Sequence, residues 1–142
     1  MMASGGSVID KAERVSRRRA AIFYLLAGVL VLSVLTAGEV GERPLRLLPW
    51  LCMVALGATN LWTVGVVRSP RLKALLNDES TRAHRSAAMS AGFVAALASG
   101  ACVTVVAALT PLSAVLAGKV VITASLAAAL GCFATLELRA SR

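Results

Sequence analysis

The sequence predicts an all-α integral membrane protein, built as a four-helix bundle with both termini in the cytoplasm. Of its 142 residues, 58% are hydrophobic and only 15% are charged, whereas soluble domains are about half apolar and a quarter charged. The apolar residues form four long segments, and a membrane-spanning helix needs roughly 20 such residues in succession. The charges lie in the breaks between these segments, while a soluble helix would carry them along its outer face.

The four predicted spans form one domain over residues 20–138. A cytoplasmic loop, residues 68–85, joins the second span to the third. The approximate boundaries of the spans are 20–38, 45–67, 86–109 and 112–136.

The distribution of charge predicts the orientation. The connection between the first two spans carries Arg43 and Arg46, balanced by Glu39 and Glu42, and the connection at 110–111 is uncharged. Because cytoplasmic loops are enriched in Lys and Arg, both termini and the middle loop are predicted to be cytoplasmic. The basic residues on that side are Lys11, Arg14, Arg17, Arg18 and Arg19 before the first span, Arg68, Arg71, Lys73, Arg82 and Arg85 in the middle loop, and Arg139 and Arg142 after the fourth span.

Residues 1–19 are predicted to form a basic, partly disordered cytoplasmic segment, because its first ten residues, "MMASGGSVID", are mostly small or polar. A cleaved signal peptide is the competing interpretation, since arginines precede an apolar run that ends at Thr36, Ala37 and Gly38. That run is longer than the roughly 7–15 apolar residues of a signal peptide, so we treat the first span as retained.

The cysteine pattern predicts neither a metal site nor a cofactor. Cys52, Cys102 and Cys132 each fall within a predicted span, without C-x-x-C spacing or clustered histidines, and are expected to act as small packing residues. The net charge of +8 follows the positive-inside distribution and has no accompanying nucleic-acid-binding motif. The expected partner is therefore the lipid bilayer, and no nucleic acid is predicted to bind.

A ladder of small residues predicts close packing by the third span. Ala88, Gly92, Ala96 and Gly100 recur every four residues, which lets a second helix backbone approach closely. The partner is either the fourth span, in a tight hairpin, or a second copy of the chain in a homo-oligomer. The hairpin is the favoured alternative.

Aromatic and capping residues mark the ends of the predicted spans. Trp50 and Trp62 lie near the outer and inner ends of the second span, where amphipathic rings are enriched at the membrane interfaces. Thr110 is predicted to cap the fourth helix, with Pro111 in the first helical position.

Two polar residues inside the spans are candidates for function, because burying such groups in lipid is costly. Lys119 lies about 10 Å of helix rise beyond Leu112. It is expected to snorkel towards the outer surface, to pair with Glu39 or Glu42, or to line a transport path. Asn60 gives the second span a polar face, for which a hydrogen bond to a neighbouring helix is favoured over substrate contact.

The stretch "LNDESTRAHRSAAMSAGF" is predicted to start the third helix and to offer a docking surface. Asp78 and Glu79 lie near the positive helix end and can both reach Arg82, while Arg85 follows at the cytoplasmic interface. His84 has no accompanying nucleophile or metal-ligand set, so no catalytic residue is predicted. These five residues form the candidate partner-binding surface.

The same stretch resembles uncharacterised small bacterial membrane proteins of the domain-of-unknown-function type. In that group an Asp-Glu followed by Arg begins the second helical hairpin, and some members are thought to be encoded beside small helix-turn-helix regulators. The resemblance covers this stretch and the four-span layout. It implies a protein of the bacterial inner membrane that holds or signals to a cytoplasmic regulatory protein, and it implies no enzyme activity.

Two functional hypotheses follow. The favoured one is a non-enzymatic scaffold or regulator that docks a cytoplasmic partner through the loop and helix start at 68–86. The alternative is a small transporter, channel or holin-like subunit that uses Lys119 and Asn60 along a path. An enzyme would need paired catalytic groups, which the sequence does not show.

Overall fold

The structure, a computed structural model, describes residues 5–35, 47–63 and 79–140, with side chains at residue 14 and over 17–35, 47–63 and 82–140. These residues form four α-helices, so the predicted all-α class is confirmed for the described part of the chain. The helices are α1 (Gly5–Leu35), α2 (Leu48–Thr63), α3 (Glu79–Leu109) and α4 (Ala114–Ala140).

Three of these helices are long and apolar enough to cross a membrane. The described part of α2 has 16 residues, which is fewer than the roughly 20 of a typical span. Residues 64–67, which the sequence assigns to the end of the second span, lie outside the described residues. The three long apolar sections are Arg17–Leu35, Arg82–Leu109 and Ala114–Ala140.

α4 is the helix on which the others pack. α1 and α3 both lie along it, and α2 makes smaller contacts with α1 and α4. Leu130 and Phe133 of α4 are fully buried. Phe133 meets Phe23 of α1 edge to face, with the ring centroids 5.3 Å apart, a geometry worth about 0.5–1.5 kcal/mol beyond the burial of the rings.

The contacts also give the helix directions. The Tyr24 hydroxyl, in the first half of the apolar section Arg17–Leu35 of α1, hydrogen-bonds the Thr135 hydroxyl, late in α4, at 2.8 Å. Arg19 borders the same small cavity as Thr63 at the end of α2, and residues 110–113 join α3 to α4 in a short turn. The start of the apolar section of α1 and the start of α3 therefore lie beside the ends of α2 and α4. We call this the basic end, because it carries Arg14, Arg17, Arg18, Arg19, Arg82, Arg85 and Arg139.

The outer surface of α1 is the kind that a bilayer requires. Its inner stripe, Ala20, Phe23, Leu26 and Leu30, is at most 4% exposed. The opposite face is also apolar and includes Leu25, which is 66% exposed. A helix that is apolar on all sides is stable where lipid covers its outer face.

The first half of the small-residue ladder packs against α4. Ala88 is fully buried. A Cβ atom added to Gly92 would lie 3.0 Å from both the Ala129 Cβ and the Ser125 carbonyl oxygen. Gly100 has open space at the same position. The expected hairpin contact is therefore present at Ala88 and Gly92 and does not extend to Gly100.

The turn between α3 and α4 differs from the predicted one. The Thr110 hydroxyl donates to the Val106 carbonyl oxygen of α3 at 2.9 Å. Ser113 caps α4 instead, because its hydroxyl accepts the Leu116 N–H at 3.2 Å. The predicted cap is wrong, since Ser113 offers the same capping chemistry later in the chain and leaves Pro111 in the turn, where its missing N–H is tolerated.

α1 and α3 both begin before the predicted spans. α1 begins at Gly5, so the segment predicted to be partly disordered is helical from that residue onward. α3 begins at Glu79, and Asp78, which the sequence places near the positive end of this helix, lies outside the described residues. The basic residues of both helices therefore lie on the same continuous helix as the apolar section that follows.

Two glycines of α3 give a matched test of its contact with α4. In Gly92→Ala the new methyl group meets a backbone oxygen, so the free energy of unfolding in detergent micelles should fall by about 1–3 kcal/mol. In Gly100→Ala the methyl group enters open space and a helix glycine is removed, so stability should rise by up to about 1 kcal/mol. Titration with a denaturing detergent, followed by circular dichroism, measures both. Equal effects would contradict the contact.

Candidate functional site

The start of α3 projects charged side chains from the basic end. Arg82 is exposed, and His84 and Arg85 are half-buried. Asp78 and the side chain of Glu79 lie outside the described residues, so their pairing with Arg82 stays a prediction. Because α3 is continuous here, Arg82 and Arg85 lie one turn apart on neighbouring positions of the helix surface.

Arg85 contacts Trp62 at the end of α2. Its Cζ atom lies 5.3 Å from the centre of the indole ring, which is the geometry of a cation–π interaction, worth about 0.5–1 kcal/mol at an exposed site. Trp62 is 71% exposed. The contact joins the end of α2 to the start of α3.

A groove lies between α2 and α3, with α4 as its floor. Its volume is about 510 Å³, which falls within the roughly 300–1,000 Å³ of small-molecule sites. Arg85 and Trp62 lie at its basic end, and its remaining lining is apolar apart from Ser125. We call it the α2–α3 groove. Its apolar lining includes Val54 and Ala58 of α2, Met89 and Ala96 of α3, and Ile122 and Leu126 of α4.

A smaller cavity lies between α1 and α2 at the basic end. It measures about 180 Å³ and is bordered by Arg19, Phe23, Asn60 and Thr63. The Asn60 amide donates to the Leu56 carbonyl oxygen of its own helix at 2.8 Å, and not to a neighbouring helix as expected. A bond to the carbonyl four residues earlier gives one amide N–H a partner without water, as a lipid environment requires.

Lys119 of α4 is buried against α2. Its side chain is 5% exposed, and its Nζ atom lies 5.8 Å from the centre of the Trp50 ring. The Trp50 indole N–H donates to the Thr123 hydroxyl at 3.1 Å. Trp50 thus packs inside the bundle rather than on its lipid-facing surface, because α4 offers a hydrogen-bond acceptor for the indole and a cation for its face.

The structure does not bring the two intramembrane polar candidates together. Lys119 lies against Trp50, and Asn60 is ten residues further along α2, about 15 Å by helix rise. The acids expected to pair with Lys119, Glu39 and Glu42, lie outside the described residues.

The cysteines differ in their surroundings. Cys132 is half-buried against the core, as expected of a packing residue, whereas Cys52 and Cys102 are exposed on the helix surfaces. For these two the predicted packing role is wrong, because their positions face away from the neighbouring helices. Within the described ranges, no group of three or more His, Cys, Asp or Glu residues could hold a metal ion.

Sequence reasoning missed the hydrogen bond from Trp50 to Thr123 and the α2–α3 groove. The sequence did contain a signal for this bond, because a tryptophan N–H among apolar residues needs an acceptor and Thr123 supplies a hydroxyl in an apolar helix. The sequence contained no signal for the groove, because the groove depends on where α2 packs on α4.

Comparisons of this chain with protein-family models, curated proteins and solved structures give no match. The resemblance to small bacterial four-span proteins therefore remains a prediction.

A double-mutant cycle tests the interaction of Lys119 with Trp50. Lys119→Met and Trp50→Leu should each lower the free energy of unfolding, and together they should cost less than their sum by about 0.5–2 kcal/mol, because each removes the same cation–π contact. The matched control pairs Lys119→Met with Trp62→Leu, near the other end of α2, and should be additive. Additivity in both cycles would show that the ring and the amine do not interact.

Proposed function

We propose that the chain is a four-span protein of the bacterial inner membrane, with both termini and the 68–85 loop in the cytoplasm. The three long apolar helices support a multi-pass arrangement, and α2, which lies antiparallel to α1, is the fourth span in this proposal. Support for the orientation comes from the arginines gathered at the basic end, because the positive-inside rule assigns such an end to the cytoplasm.

Within that membrane, we propose a non-enzymatic scaffold or regulator that docks a cytoplasmic regulatory protein through residues 68–86. The observation that carries this proposal is the continuity of α3 from Glu79 to Leu109. Because the helix is unbroken, the charged side chains of its first turns are held rigidly on a membrane helix. A protein bound to these side chains is therefore held at the bilayer.

The chemistry of the basic end indicates the kind of partner. Arg82 is exposed, and Arg85 is positioned by its contact with Trp62. Because charge complementarity guides docking, the partner is expected to present an acidic surface to these arginines.

The polar residues give less support to the transport alternative. Lys119 is buried against Trp50, and the Asn60 amide is bonded within its own helix. These two polar groups are about 15 Å apart, and each has a local partner, which argues against a shared path.

Cysteine labelling tests the proposed orientation. In a background without Cys52, Cys102 and Cys132, Ser113→Cys and Arg82→Cys each place a single thiol at an exposed position, at opposite ends of the bundle. A membrane-impermeant maleimide added to intact spheroplasts should label the thiol at position 113. The thiol at position 82 should react only after the inner membrane is opened. The reverse pattern would place the basic end outside.

Photocrosslinking tests the docking surface. Ala83 is exposed beside Arg82, so a photoreactive residue at position 83 samples whatever contacts the start of α3. We expect an adduct with a cytoplasmic protein, and we expect Arg82→Ala to lower its yield by about tenfold or more, as loss of a paired interface charge does. Immunoblotting and mass spectrometry of the adduct give the yield and the partner.

Two control variants complete this experiment. Arg139→Ala removes one positive charge from the same end outside the docking surface, and Lys119→Met alters the intramembrane cation, so both should keep the adduct. Loss of the adduct in Arg139→Ala would show that Arg82→Ala acts by lowering the net charge of the basic end and not by removing a specific contact. An unchanged adduct in Arg82→Ala would contradict docking at this surface, and altered ion leakage in Lys119→Met would favour the transport alternative.

A further inference from the structure

The α2–α3 groove has a charged end and an apolar body. The apolar section of α3 begins at Arg82, so Arg85 and Trp62 lie where a spanning helix meets the membrane surface. From Arg85 to Ala96, which also lines the groove, the helix rises about 16 Å. The groove therefore leads from the surface of the membrane into its hydrocarbon region.

The lining of the groove defines the chemistry of an occupant. Apolar side chains along its length exclude a polar solute, and Arg85 at the entrance calls for a single negative group there. The Arg85 Cζ atom lies over the Trp62 ring, and an arginine held against an aromatic ring can make paired hydrogen bonds with phosphate through the edges of its guanidinium.

We propose that the α2–α3 groove binds an anionic phospholipid, with one acyl chain along its apolar body and the phosphate at Arg85. Basic pockets between membrane helices at the cytoplasmic face are suited to anionic headgroups. Contacts between α2 and α3 are sparse, so the acyl chain fills the space between them. This site shares Arg85 with the docking surface proposed above but does not rest on that proposal, and its test uses a different readout.

Fluorescence quenching by brominated lipids tests the proposal. The chain has two tryptophans, so Trp50→Phe leaves Trp62, at the groove entrance, as the single reporter. The full-length variant is placed in phosphatidylcholine vesicles that contain equal fractions of either brominated phosphatidylglycerol or brominated phosphatidylcholine. We expect Trp62 to show a roughly fivefold preference for the anionic lipid, the effect of one well-placed basic residue.

Matched variants separate the site from general attraction of the basic end for anionic lipid. Arg85→Gln should abolish the preference, while Arg82→Gln, with the same loss of charge one turn away, should retain it. Ala96→Leu should fill the groove and reduce quenching by bromine placed deep in the acyl chain. Ala98→Leu adds the same volume at an exposed position outside the groove lining and should leave that quenching unchanged.

Three results would overturn the proposal. They are equal quenching by the two lipids, a preference that survives Arg85→Gln, and weak quenching by both lipids, which would indicate that residues 64–78 or a second copy of the chain cover Trp62. Because Trp50→Phe also removes the hydrogen bond to Thr123, spin-labelled phosphatidylglycerol and phosphatidylcholine are compared on the unmodified chain as well. The motionally restricted lipid fraction is the quantity measured there, with the same expected preference.

Discussion

The close approach of helix backbones to α4 is the constraint on which the rest of the structure depends. In lipid, helices gain little from hiding apolar surface from water, so their association depends on van der Waals contact at short range. Gly92 lets α3 approach the Ser125 carbonyl of α4. At Gly57 of α2, an added Cβ would lie 2.9 Å from the Leu126 Cδ2, the end of a side chain that can shift. A side chain at position 92 would therefore push α3 away from α4, whereas one at position 57 would first displace the Leu126 side chain.

The second constraint is that polar groups must find partners without water. Most hydroxyls in the described helices meet it locally, as Ser99 does by donating to the Ala95 carbonyl oxygen at 2.6 Å. Trp50 has no such option within its own helix, because its indole reaches away from the backbone. Its bond to Thr123 therefore fixes the position of α2 on α4 in a way that apolar packing alone would not.

The sequence predicts those features of the fold and site that depend on local composition. The helical class, the apolar sections and the basic end follow from hydropathy and charge, which each segment carries by itself. The burial of Trp50, the cap at Ser113 and the open space at Gly100 depend on which helix lies opposite. Four-residue spacing defines a face of α3, but only the crossing of α3 and α4 decides that Gly92 is in contact and Gly100 is not.

The same packing brings the proposed lipid site and the proposed docking surface together at Arg85. Because α2 is fixed to α4 through Gly57 and Trp50, it stays apart from α3 along most of its length, and the contact of Arg85 with Trp62 joins the two helices at the basic end. A phosphate in the groove and an acidic partner outside it would use the same guanidinium. By thermodynamic linkage, a partner that recruits Arg85 would weaken lipid binding, and bound lipid would weaken docking by the same factor.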